Sequence, residues 1–324
     1  MQVAPSVRAV QVPDPSPLHP DFTTIYLVGR GQVLTIDSGE DLERYRWMLR
    51  GYLAATEKAE IALSAVTHHH ADHSANLRWL HDEFAAEVYA LAGSEALLRE
   101  RLPPAGVHLV EDGAAIEVAG GLSVQAIATP GHSADSACYY LESEGVLLTG
   151  DTILGSTPTT VSDLGAYLRS LERLRALPNL RVICPGHGPV IESPASYIDA
   201  YLEHRLERER QILALLAEGG ERTSWQIMER IYADTDRRLR RAADLNVRSH
   251  LEKLEHEGRV RAFAGRPRQR APAEAAEAME EEHARQDVIR WADAYREEDR
   301  QRALLRQESP PAEEWEEPPR YELA

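Results

Sequence analysis

His68-x-His70-x-Asp72-His73 places four metal-ligand side chains within six residues. Alternate residues of an extended segment face the same way, so His68 and His70 can grip one ion while Asp72 and His73, at the turn into a helix, face a second. Three further segments share this character, each setting a ligand-type residue beside glycine: Thr129-Pro130-Gly131-His132, Thr149-Gly150-Asp151 and Pro185-Gly186-His187-Gly188. Glycine lets the backbone approach closely and bend sharply, as a loop holding an ion requires. Neutral imidazole and carboxylate oxygen suit zinc, and five histidines with two aspartates divide between two Zn2+ ions. If His68, His70 and His132 take one ion and Asp72, His73 and His187 the other, Asp151 is left as the bridging carboxylate. Asp72 and Asp151 are then the carboxylates of the catalytic centre. A water shared by two such ions is deprotonated near neutral pH, giving a metal-bridging hydroxide as nucleophile with no serine or cysteine required. His69 is turned outward by the alternation that turns its neighbours inward. The other histidines are read as ordinary surface or core residues.

These segments sit at the ends of strands. Residues 24–28 and 33–37 are short β-branched runs around the Gly29-Arg30-Gly31 turn and read as a hairpin, with a helix across roughly 41–56. The run at 61–67 reads as a buried strand, and the following segment to Phe84 has helical spacing of Leu77, Leu80 and Phe84. Strand at 88–91, helix near 94–101, strands near 116–118, 122–128, 137–142 and 145–149, helix at 163–176 and strand at 181–185 complete an α/β pattern of sheet layers covered by helices. From Tyr197 the pattern changes to charged helices over 195–217, 224–231 and 239–257, then a short strand to Phe263, the plan of a winged helix. The domains read as 1–194 catalytic, 195–264 linker helix and winged helix, and 265–324 a charged helix (275–306) with an acidic tail. The tail, SPPAEEWEEPPRYELA, is Pro/Glu-rich and reads as disordered.

The chain has 324 residues and a formal charge of −17, which opposes general attraction to nucleic acid or anionic lipid. The imbalance is uneven: residues 1–203 carry 13 basic against 26 acidic side chains, whereas 204–264 carry 13 against 11. Cys138 and Cys184 are too few for a disulfide framework and read as buried small hydrophobes. No stretch has signal-peptide or membrane-span character, so a soluble, cytoplasmic location with no membrane partner is the expectation.

The ligand set as a whole resembles the metallo-β-lactamase superfamily. That resemblance implies an αββα sandwich over about residues 18–192, with the metals at one edge of the paired sheets. His70, where diiron oxidoreductases of the family tend to have glutamate, implies a hydrolase, and His73 argues against penicillin cleavage. The 35 residues between Asp151 and His187 leave no room for the inserted domain of the larger DNA- and RNA-processing members. The stretch GDTILGSTPTTVSDLGAYLRSLERL, then ICPGHGPVI, YLEHRLERERQIL and the appended winged helix, is similar to the β-lactamase-like protein 2 group. Ala75-Asn76 stand where the family often has Gly-Gly, and Thr24 where an asparagine is common. Animal members of that group are endoribonucleases and fungal relatives include polyketide thioesterases. The resemblance implies a dinuclear zinc hydrolase cleaving single-stranded RNA; beside it, the run Arg237-Arg238-Leu239-Arg240-Arg241 with Arg248, Lys253, Arg259 and Arg261 reads either as phosphate contacts or as the solvated face of a helix. The alternative is hydrolysis of a thioester or small ester of acyl-carrier-protein or glutathione type, which an acidic protein with 6% aromatic residues suits better. A third reading, a binding or assembly protein with a vestigial site, conflicts with seven intact ligands. Oligomeric state is not read from the sequence.

Overall fold

The computed structural model describes residues 1–13, 22–55, 59–268, 307–311 and 314–324. The charged helix expected over 275–306 lies outside them. Contacts divide the chain into two compact units, the first Met1–Thr159 with Ala166–Asp199 and the second Thr160–Gly165 with Ala200–Ala324.

The first unit contains two sheets. Seven strands pair in chain order: β1 (Gln2–Ala4), β2 (Val7–Pro13), β3 (Phe22–Val28), β4 (Gln32–Ile36), β5 (Glu60–Ala65), β6 (Glu87–Leu91) and β7 (Val107–Val110). Strands β1 to β4 run antiparallel, and the predicted hairpin forms with Tyr26 opposite Ile36 and Val28 opposite Leu34. Strands β4 to β7 run parallel, which requires crossovers. Helices α1 (Glu43–Ala55), α2 (Ala71–Ser74) and α3 (Leu77–Phe84) occupy the first two, and α4 (Glu95–Leu98) lies in the third. The second sheet has the order β12-β11-β10-β9-β8, from β8 (Ala115–Val118), β9 (Leu122–Ala128), β10 (Ala137–Leu141), β11 (Val146–Gly150) and β12 (Val182–Pro185).

Alternation along the strands builds the layers. Val7, Ala9, Tyr26, Val28, Leu34 and Ile36 of the first sheet pack with Ile116, Val124, Ala126, Tyr139, Val146 and Leu148 of the second in one core. The opposite residues of the first sheet, Val10, Val12, Ile25, Leu27 and Val33, pack with Tyr45, Leu49, Leu53 and Leu80 of α1 and α3. Strands β10 and β11 are buried at every position, so both their faces are covered. Helix α5 (Leu164–Arg175) contributes buried Tyr167, Leu171 and Leu174 on that side, completing the αββα sandwich. Cys138 and Cys184 are buried free thiols.

In the second unit, the part of α6 (Pro194–Ala217) from Ala200 packs with α7 (Ser224–Ile231) and α8 (Arg240–His256). Ile212, Leu216, Trp225, Ile227, Met228, Val247, Leu251 and Leu254 form their core. Thr223 and Gln226 cap α7 reciprocally, each side chain bonding the other's backbone N–H. The sheet has the order β13-β17-β14, from β13 (Arg222–Thr223), β14 (Val260–Phe263) and β17 (Arg320–Leu323), while β15 (Arg266–Pro267) pairs with β16 (Trp315–Glu317). One antiparallel register runs from Val260 opposite Leu323 to Arg266 opposite Glu317, so β14–β15 and β16–β17 are the two arms of a single hairpin. This corrects the reading of 309–324 as disordered. Tyr321 is 8% exposed and belongs to the unit's hydrophobic core, and burying one aromatic side chain between two strands offsets the polar composition around it. Among the described residues no helix is long and apolar enough to cross a membrane.

Candidate metal centre

Strands β5, β9, β11 and β12 each run out into a ligand-bearing segment. β9 is antiparallel to β10 and β10 to β11, while β12 is parallel to β11, so β9, β11 and β12 deliver His132, Asp151 and His187 from the same end of their sheet. β5 delivers His68 and His70, and α2 carries Asp72 and His73. Thr67 O accepts from Ala137 N at 2.8 Å and Gly186 O from Thr24 N at 2.8 Å, joining the two sheets at this edge. Two glycines permit the approach. A Cβ on Gly150, at φ +49°, would lie 2.4 Å from Thr67 Oγ1, and one on Gly186 would lie 2.6 Å from His73 Cε1 and 2.9 Å from Asp151 Oδ1.

All seven sequence-predicted residues converge. His68, His70, His132 and Asp151 form one cluster and Asp72, His73 and His187 another, with the ligand atoms of each within 4.8 Å of one another. His68 Nε2 lies 2.8 Å from His70 Nδ1, which lies 3.0 Å from His132 Nε2. Asp72 Oδ2 is 3.0 Å from His187 Nε2, and His187 Nε2 is 3.3 Å from His73 Nε2. Asp151 spans the clusters: Oδ2 is 3.8 Å from His132 Nε2, while Oδ1 is 3.2 Å from His73 Nε2 and 3.4 Å from His187 Nε2. Asp151 Oδ1 is buried yet accepts no hydrogen bond of good geometry among the described residues. Ring nitrogens converging at about 3 Å with a buried carboxylate oxygen left over are a donor set that suits cations.

The outer nitrogen of four imidazoles is held by a partner. Thr67 Oγ1 lies 3.0 Å from His68 Nδ1 and Thr159 Oγ1 lies 3.0 Å from His132 Nδ1. Phe22 O lies 3.3 Å from His187 Nδ1. His73 Nδ1 is 2.7 Å from Asp37 Oδ2, and the Asp37 carboxylate also accepts from Thr67 N at 2.7 Å and Thr67 Oγ1 at 3.0 Å. Such partners fix which nitrogen faces an ion. Sequence reasoning passed over all four. Asp37 carried one usable signal: an acidic residue ending a strand, just before Ser-Gly, which the structure holds at φ 67°. Asn76, at a position where glycine is frequent, is fully buried; its N–H donates to Ser38 Oγ at 3.1 Å, its Nδ2 to Glu40 O, and its Oδ1 accepts from Arg46 Nε at 2.9 Å. It therefore ties the loop after β4 to α2 and α3.

The electrostatics differ at the two ends. Burial, then the His132 ring, pushes His70 down to about 3. Burial and the rings of His73, His70 and His132 hold His68 well below the ordinary histidine range. Burial opposes charge on His73 and His187 too, but there the carboxylates of Asp72 and Asp151, with Asp37 beside His73, outweigh it and raise both. Burial would also raise Asp72 and Asp151, yet the adjacent imidazoles hold both well below the usual carboxylate range. The three-histidine end thus presents neutral imidazoles, the form that ligates a metal, and both aspartates are ionised.

Residues 18–187 match the family model described as Metallo-beta-lactamase superfamily, and residues 223–266 that described as Beta-lactamase associated winged helix domain. The chain is 36% identical to the beta-lactamase-like protein 2 homolog of Caenorhabditis elegans, over 76% of this chain and 83% of that one. It is also 36% identical to the atrochrysone carboxyl ACP thioesterase of Aspergillus fumigatus, over 66% of each. Among solved structures it is similar to a metallo-beta-lactamase family protein from Thermus thermophilus, with TM-score 0.67 and 28% identity over 80% of this chain and 96% of that one.

Proposed function

We propose, from the premise that this chain belongs to the metallo-beta-lactamase superfamily and is a metal-dependent hydrolase, that it holds two zinc ions and hydrolyses a thioester or ester carbonyl. The observation that carries the dinuclear part is Asp151, whose two oxygens face the two ligand clusters separately. His68, His70 and His132 would hold one ion, Asp72, His73 and His187 the other, and Asp151 both. When bound, the ions supply an activated water at neutral pH and polarise the acyl oxygen. The protein's own share is positioning: Asp37, Thr67 and Thr159 orient the imidazoles, and Asp72 and Asp151 keep the centre ionised around the reacting carbonyl.

Support for a carbonyl substrate over RNA comes from the second unit, where many of the described basic residues meet carboxylates of the same unit. Arg238 meets Asp236 at 2.5 Å, Arg248 meets Asp244 and Glu314 at 2.8 Å each, Arg261 meets Glu322 at 2.9 Å, and Arg266 meets Glu317 at 2.8 Å. Such a surface offers a phosphate backbone little uncompensated charge. The relative named as a thioesterase supports the same choice. The deciding experiment gives zinc-loaded protein an acyl thioester panel and labelled single-stranded RNA. Thioester turnover that chelator abolishes, with the RNA intact, is the expected result. RNA cleavage without thioester turnover overturns the carbonyl assignment and favours phosphodiester hydrolysis by the same centre.

A further inference from the structure

His69 lies between two candidate ligands and is not one itself. Its Nδ1 is 2.8 Å from Asp135 Oδ1. Asp135 stands three residues beyond His132, on the loop leaving β9, whereas His69 stands on the loop leaving β5 in the other sheet. The Asp135 side chain is only 2% exposed. Its Oδ1 also accepts from Ser133 Oγ at 2.8 Å, and its Oδ2 has no hydrogen-bond partner among the described residues. A buried carboxylate is costly unless hydrogen-bonded, and His69 and Ser133 are the side chains that meet this one at Oδ1. The backbone of His69 is held as well. Arg101 Nη1 donates to His69 O and to Ser74 Oγ, the latter at 2.8 Å, and Ser74 Oγ lies 2.8 Å from His69 O. The residue between His68 and His70 is therefore held at its carbonyl by Ser74 and Arg101, from the crossovers of its own sheet, and at its ring by Asp135, from a loop of the other sheet.

The two ends of the centre have different supports. Asp37 steadies His73 from the first sheet. His132 must meet His68 and His70 from across the gap between sheets, and the His69–Asp135 contact bridges that gap within three residues of all three histidines. We propose that Asp135 and His69 form a positioning pair that sets the spacing of His132 from His68 and His70, and so the metal affinity of the three-histidine end alone. This rests on the dinuclear reading above.

The test titrates the zinc-loaded full chain with a chromophoric chelator and follows the stepwise release of each ion. Wild type should release two ions. Asp135→Ala and His69→Ala should each weaken the three-histidine end by about 10–100-fold, the usual effect of losing a residue that orients a ligand, and leave the other ion within about twofold. The double variant should be no worse than either single one, because both remove the same contact. Asp135→Asn, which keeps an acceptor opposite the His69 N–H, should restore most of the affinity. The loss should persist in an Asp72→Ala background and vanish in a His132→Ala background, which identifies the end affected. Equal weakening of both ions, no weakening, or a metal-free melting temperature that falls with the affinity and is not rescued by asparagine would overturn the positioning role. A wild-type chain that takes up fewer than two ions would overturn the dinuclear reading itself and this inference with it.

Discussion

Asp151 presents one oxygen to His132 and the other to His73 and His187, so its carboxylate faces both halves of the centre. Asp151→Ala should leave one bound ion or fewer and cut hydrolysis by more than about 100-fold, since it removes a ligand rather than a ligand's support. Metal analysis alongside the rate checks this, and two retained ions would contradict the bridging role. Asp37 acts through His73. Asp37→Asn keeps a residue type that tolerates the left-handed backbone at φ 67° while removing the carboxylate, and should weaken the Asp72, His73 and His187 end by about 10-fold or more in a chelator competition. The seven candidate ligands that the structure brings together could be picked out of the sequence because their pattern is local: four of seven fall within six residues, and the rest lie beside glycines at strand ends. Asp37 and Asp135 could not, because a lone acidic residue shows nothing of a partner 36 or 66 positions away. Alternation predicts an outward His69, but its ring lies 4.8 Å from that of His70 and meets buried Asp135 on a loop of the other sheet.

At the level of elements, periodicity located the strands that position the site. Strand β9 runs 122–128 and helix α7 runs 224–231 as expected. Strands β1, β2 and β7 were not read, although Val7, Val10 and Val12 of β2 prove to be core residues. Strand β17 was illegible for a different reason: it is four residues long, one of them buried, and its neighbours in the sheet lie about 60 and 100 positions away. Its central place in the sheet gives a prediction. Tyr321→Ala should destabilise the second unit by about 2–4 kcal/mol, the usual cost of deleting a largely buried aromatic side chain. Deleting residues 320–323 should remove more, since it leaves β13 and β14 with no strand between them. Denaturant unfolding followed at Trp225, a member of the same core, measures both; an unchanged midpoint would mean the strand adds nothing. The same unit should weaken in mild acid. Burial, then Arg205, Arg208 and His250, lowers His204 to about 4. The unfolded chain therefore binds more protons between pH 6.5 and 4, and stability falls as pH drops through that window. Because the ring is partly exposed, solvent screening limits the loss to about 1–2 kcal/mol. His204→Gln should flatten this slope in pH-dependent melting, and an unaltered slope would assign it to other groups.

For the molecule as a whole, charge is the property on which the two substrate readings differ. The chain carries −17, and the one block with a basic surplus, 204–264, has 13 basic against 11 acidic residues. The hairpin arm 314–323 brings Glu314, Glu316, Glu317 and Glu322 against Arg248, Arg266 and Arg261, so part of the second unit's basic charge is paired within it. Sequence could count those arginines but could not pair them, because the glutamates that meet them lie beyond the segment between. Salt separates the two readings quantitatively. Each contact to a single-stranded phosphate adds about 0.7 to the slope of log affinity against log salt, so three contacts would cost roughly 40-fold in affinity between 50 and 300 mM. A neutral acyl substrate gives up no counterions. We therefore expect kcat/KM on an N-acetylcysteamine thioester, which carries no phosphate, to change less than about twofold over that range. On the carbonyl reading, reversing Arg237, Arg238, Arg240 and Arg241 together should leave that rate within about the same margin, because a neutral acyl substrate carries no charge for them to attract. RNA turnover that falls steeply with salt and collapses on the same charge reversal would mean the pairing seen here yields to a phosphate backbone, and the thioester reading would have to be given up.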